Sequence, residues 1–162
     1  MLSSSFDVVD LLTRDHRLLE RLLDELDQEK QPLQASVLLL RLARELATHE
    51  SAEQGITFPA LRSALPAIDA PEREQLSEHK EINQLVADMQ RLMPEEPGFE
   101  AGAGTLRVQL YEHFHSEEMV VFPRLRASLD RHQLVELAEQ IMTARAEPPA
   151  APSTSSPKGG HR

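Results

Sequence analysis

Two short stretches of this chain place metal-ligating residue types at helical spacing. His49-Glu50-Ser51-Ala52-Glu53 is followed by Phe58-Pro59, and His113-Phe114-His115-Ser116-Glu117 by Phe122-Pro123. Aligned on Phe-Pro, histidine falls on histidine and glutamate on glutamate, a repeat of roughly 64 residues. Upstream, Asp15-His16 and Glu78-His79 match in the same way. Residues four apart on a helix share a face, about one turn apart. His49 and Glu53 therefore point the same way, as do His113 and Glu117, and Glu50 can join that face. A single histidine on an apolar face is ordinarily a hydrogen-bonded core residue. Buried glutamates, however, are costly unless they are paired or bind metal. The doubled pattern therefore predicts a metal site built from His16, His49, Glu50, Glu53, His79, His113 and Glu117. The order is His-x-x-x-Glu, which differs from the Glu-x-x-His pairs of ferritin-type sites.

Four long helices must carry these residues. The first spans about Asp7 to Glu29, with Asp7 as N-cap, Asp10 three residues later, and His16 among Leu12, Leu19 and Leu23. The second spans about Leu33 to Ser63, and Pro59 should kink its last turns. The third starts at Pro71, a good first helical position, and ends near Met93. It sets His79 with Leu76, Ile82 and Val86. The turn Glu95-Glu96-Pro97-Gly98 leads to a fourth helix, about Glu100 to Ser128, with Pro123 placed as Pro59 is. Gly102 and Gly104 should weaken its start and let it fray. A short fifth helix, capped by Asp130, runs to about Ala144. Short loops imply an all-α, antiparallel up-down-up-down four-helix bundle with a short C-terminal fifth helix. Residues 1–146 read as one domain. Residues 147–162, rich in Pro, Ser and Gly, read as a disordered tail.

Composition narrows the function classes. The 162 residues suit one domain with a real core, rich in helix-forming residues and without tryptophan. There is no cysteine, which excludes disulfides, thiolate metal sites, iron–sulfur ligation and a cysteine nucleophile. A formal net charge of −10 argues against nucleic-acid or anionic-membrane partners. The N-terminus lacks the pattern of a signal peptide, and no apolar run spans a membrane. A cytoplasmic location is the expectation.

Taken together, these motifs resemble those of the hemerythrin-like family, the HHE cation-binding domains, over about residues 7–128. The resemblance implies a four-helix bundle with an oxo- or hydroxo-bridged pair of iron ions. By that resemblance Glu53 and Glu117 would bridge, and His16, His49, His79 and His113 would be terminal ligands. Oxygen-carrying hemerythrins have a second histidine one turn from the first on the third helix, where this chain has Gln75 and Asn83. Glu50 resembles the carboxylate that takes a ligand role in other HHE domains. A third carboxylate favours the ferric state and fills a position that reversible oxygen binding would need. Manganese or zinc would satisfy the same charge count.

The function expected is a di-iron protein that reacts with or senses oxygen, peroxide, nitric oxide or iron supply. The alternatives are a peroxide- or nitric-oxide-consuming oxidoreductase, and iron storage or delivery. Any sensing must pass through a protein partner or self-association. His115, His132 and His161 are read as surface or structural residues and Tyr111 as packing or solvent-facing. Met89, Met93 and Met119 are read as core filler.

Overall fold

The computed structural model describes residues 6–65 and 69–146, all of it helix and connecting turns. Helix α1 (Val8–Gln28) begins at a capping box: Asp7 accepts from the Val9 and Asp10 amides, and the Asp10 carboxylate accepts from the Asp7 amide. Helix α2 (Pro32–Ala52) opens with proline in its first turn and runs through a π turn, Glu53–Thr57, into α3 (Phe58–Ala64). Helix α4 covers Asp69–Met89. Helix α5 (Pro97–Ser116) passes through a second π turn, Glu117–Val121, into α6 (Phe122–Ser128). The last helix, α7 (Arg131–Ala146), starts at a reciprocal pair between Asp130 and Gln133.

The four long helices close a ring: α1 packs on α2, α2 on α4, α4 on α5, and α5 on α1, while α7 lies against α1. Inside are two apolar clusters. One gathers Val8, Leu12, Phe58, Phe122, Leu125 and Ile141, and the other Leu19, Leu42, Leu46, Met89, Leu106 and Leu110. The chain passes from one cluster to the other through histidines: Leu12 to His16 to Leu19 on α1, Leu46 to His49 to Ala52 on α2, and Leu110 to His113 to Val121 from α5 into the second π turn. A polar layer is thereby held between two dry ones.

Several sequence expectations are corrected. Pro59 and Pro123 each follow a π turn that the sequence reading did not foresee, and the Phe58 and Phe122 amides donate five residues back, to Glu53 and Glu117. A π turn opens the helix ahead of a ring that would otherwise crowd the carbonyl four residues back. Pro97 is the first residue of α5 and not part of a turn, and that helix is formed through both glycines. Gly102 is buried, and a Cβ there would come within 2.8 Å of Met89 Cγ. Met89 is core, but Met93 and Met119 are 62% and 65% exposed and fill no core. His115, His132 and Tyr111 are exposed, and Tyr111 stacks on His115. His161 and the proposed tail 147–162 lie outside the described residues.

Candidate metal centre

Six of the seven residues picked from the sequence converge in the polar layer. His16, His49, Glu53 and Glu117 offer one donor atom each within 4.8 Å of one another, and so do Glu53, His79, His113 and Glu117. The two glutamates belong to both groups. All six are buried, with exposures of 0–2%. The inward nitrogens sit close to carboxylate oxygens: His16 Nε2 is 3.0 Å from Glu117 Oε2, His113 Nε2 3.2 Å from Glu117 Oε1, and His79 Nε2 3.3 Å from Glu53 Oε2. His49 Nε2 lies 3.5 Å from Glu53 Oε2.

What surrounds these rings explains why they face inward. His16 Nδ1–H donates to Glu118 Oε1 at 2.8 Å and His113 Nδ1–H to Glu78 Oε2 at 2.7 Å. His49 Nδ1 faces Asp15 Oδ2 at 3.4 Å, and the Gln54 carboxamide lies 3.0 Å from His79 Nδ1. An outer partner that takes the Nδ1 proton leaves Nε2 with a lone pair aimed at the cluster. The Nε2 atoms of His79 and His113 are 3.0 Å apart, within hydrogen-bond distance of each other. His16 Nε2, His49 Nε2 and all four oxygens of Glu53 and Glu117 have no hydrogen-bond partner among the described residues. Lone pairs packed against lone pairs in a dry layer repel unless cations or protons lie between them. The donor set therefore fits metal ions.

The electrostatics of the side chains alone make the same point. Burial, reinforced by the Glu53 charge, pushes Glu117 up to about 8. Burial acts against a charged His49, but Glu53, Asp15 and Glu117 together hold it well above the usual imidazole range. Burial, with the charges of His49, His113 and Arg17, holds His16 well below that range. Burial would raise Glu53 too, but the neighbouring histidines, His49 first, draw it below the ordinary carboxylate value. Bound metal would compete with these protons for the same donor atoms.

The sequence profile of the Hemerythrin HHE cation binding domain matches residues 7–125. The chain belongs to this family. The structure is similar to that of an HHE cation-binding domain-containing protein from Mycobacterium kansasii, with a TM-score of 0.75 and 20% identity over 86% of this chain and 85% of that one. The sequence is also 23% identical over 141 residues to a DNA nickase of Nostoc sp.. That match takes in 87% of this chain but only 40% of the relative's length.

Within this HHE domain the repeat reaches well beyond the histidines and glutamates. Phe122 of the second half stacks on His16 of the first at 5.5 Å, and Phe58 of the first half stacks on His79 of the second at 6.3 Å. Gln54 and Glu118, which immediately follow the two shared glutamates, hold matching outer positions on His79 and His16. Asp15 and Glu78 hold matching positions on His49 and His113. Sequence reasoning saw the Asp15 and Glu78 match without their role and missed Gln54 and Glu118. The signal was available, since the repeat puts them in register.

Glu50 is the seventh predicted ligand, and the structure leaves it outside both donor groups. It is buried, its Oε2 accepts from Asn83 Nδ2 at 2.6 Å, and its Oε1 has no partner. Burial raises its pKa, with Asn83 opposing. In the repeat it aligns with Phe114, whose ring stacks on His16 at 4.1 Å. The two halves differ most here. Phe114 seals the His16 side, whereas Glu50 and His79 line a surface cleft of about 340 Å³ with Gln54, Lys80 and Asn83.

Proposed function

We propose that the domain binds two iron ions, one held by His16 and His49, the other by His79 and His113, with Glu53 and Glu117 shared between them. The observation that carries this reading is the membership of both glutamates in both donor groups. The frame is an antiparallel up-down-up-down four-helix bundle. In its support, contacts between α1 and the α5–α6 arm run in opposite chain order: Asp24 with Arg107, Arg17 with Glu118, and Asp10 with Arg126.

Iron held this way supplies one-electron redox steps and coordination positions for small oxidants such as oxygen, peroxide or nitric oxide. The chain's own residues decide where such a molecule enters. Phe114 and Phe122 cover His16 and keep water from that side. The cleft beside His79 is the entrance, and Glu50, held by Asn83, waits at its inner end as a further hard oxygen donor for the His79 side. That open cleft favours a second reading, consumption of peroxide or nitric oxide instead of sensing. DNA nicking is not carried over from the Nostoc relative, because a chain of net charge −10 is poorly suited to a phosphate backbone.

The test is metal quantitation on protein from iron-replete cells, followed by visible spectra during addition of oxygen, peroxide and nitric oxide in turn. Two irons per chain and a spectral response to at least one reagent are expected. One metal or none after iron reconstitution overturns the reading.

A further inference from the structure

The pseudo-symmetry of the two halves is broken by the last helix, and the break touches a ligand residue. Arg145, one residue from the end of α7, donates from both terminal nitrogens to Asp15, Nη1 to Oδ1 at 3.2 Å and Nη2 to Oδ2 at 2.5 Å. Asp15 Oδ2 is also the oxygen that faces His49 Nδ1. His49 turns its other nitrogen into the His16 group. Glu78, the counterpart of Asp15, faces His113 with no arginine on it among the described residues. A continuous chain of contacts thus runs from α7 to the His16/His49 donor group and has no equivalent at the His79/His113 group among the described residues.

We propose that Arg145 is a positioning residue through which docking of α7 and metal occupancy at the His16/His49 position are thermodynamically linked. The inference rests on the two-metal reading above. A carboxylate that fixes the ring of a ligating histidine is worth about 10–100-fold in metal affinity. Asp15 does this for His49 only while its own orientation is set, and Arg145 sets it from the far side. Linkage is reciprocal: whatever α7 adds to metal affinity through Arg145, bound metal adds to the docking of α7.

The end of α7 is built to respond. Its anchors, Leu134, Leu137, Ala138 and Ile141, are buried in one apolar cluster, whereas the residues from Met142 to Ala146 are exposed or nearly so. A cavity of about 390 Å³ lined by Ala47, Ile56, Ile141 and Arg145 lies between this end and α2. The Arg145 fork is therefore the principal polar tie on a lightly packed segment. In a sensing domain, that segment is where a change in metal content reaches the surface.

The experiment combines anaerobic calorimetric titration with ferrous iron and hydrogen exchange of the α7 amides in metal-free and iron-loaded protein. It uses the full chain and its Arg145→Ala and Arg145→Lys variants. The apolar anchors of α7 are intact in both variants. The wild type is expected to show two binding phases and slower α7 exchange when loaded. Arg145→Ala should weaken one phase by about tenfold, leave the other in place, and lose most of the loading-dependent protection. Arg145→Lys should restore part of both effects. Two-phase uptake by Arg145→Ala at wild-type affinity, equal weakening of both phases, or the same gain in α7 protection would overturn the linkage while leaving the metal reading intact. Failure of the wild type to take up iron would overturn the metal reading and the linkage with it.

Discussion

At the scale of the residue, the candidate centre sets His16 Nε2, His49 Nε2 and the Glu53 and Glu117 oxygens inward without a hydrogen-bond partner among the described residues. Glu53 and Glu117 stand in both donor groups, whereas each histidine stands in one. Glu53→Ala or Glu117→Ala should therefore cost both metals, and His16→Ala chiefly one. Metal per chain after equal iron loading checks this, and equal losses would refute the shared role. Glu117 also predicts a pH effect in metal-free protein. Its carboxyl is raised from 4.5 to about 8 on folding, so between those values the folded chain binds more protons than the unfolded one. Its contribution to stability is fully present below about pH 4.5 and is lost as pH rises through about 8. Glu117→Gln cannot titrate, so metal-free variant and wild type should differ in the pH dependence of their melting temperatures across that window. Parallel curves would show that the proton sits elsewhere.

At the scale of the element, the sequence was legible where a side chain's type determined its local partner. Asp7 with Asp10 and Asp130 before α7 are local, and the apolar spacing that put His16 between Leu12 and Leu19 is what the structure holds. The π turns were not legible. Their widened hydrogen-bond register leaves no mark on apolar spacing, and a proline in the following turn accounts for an irregularity without one. Arg145 was hidden for another reason: its partner Asp15 is 130 positions away in the chain. The glycines of α5 were misread as a weak start. Gly102 is there because Met89 packs against its bare backbone, whereas a Cβ at Gly104 would meet nothing within 4 Å. Gly104→Ala should therefore stabilise the fold by about 0.5–1 kcal/mol, the helix-propensity gain. Gly102→Ala should forfeit that gain by displacing Met89. Denaturant midpoints of the two variants give the comparison, and equal stabilisation would mean that Met89 yields freely.

At the scale of the whole molecule, the polar layer divides the core that should hold it together. Helices α1 and α2 contribute to both apolar clusters, and the α5–α6 arm joins them across its π turn, so the clusters cannot separate without pulling the histidines and glutamates apart. The metal-free layer holds unpartnered nitrogens and oxygens, each of which lowers the stability of the fold. Ions that bind only the folded arrangement therefore stabilise both clusters together. Free metal at 1,000 times its dissociation constant stabilises by about 4 kcal/mol per site. In a domain of this size one kcal/mol shifts the melting temperature by about 2–4 °C. Stripping the metal should thus lower the melting temperature by on the order of 10 °C or more. It should also raise hydrogen exchange in α1 around Leu12 and in α5 around Leu106, one from each cluster. The seven-residue segment α3, which offers no cluster-spanning contact of its own, should respond less. A melting temperature indifferent to chelation, in protein shown to have carried metal, would mean that the layer is held by its protons and outer partners alone. The ions would then be passengers in a bundle that does not need them.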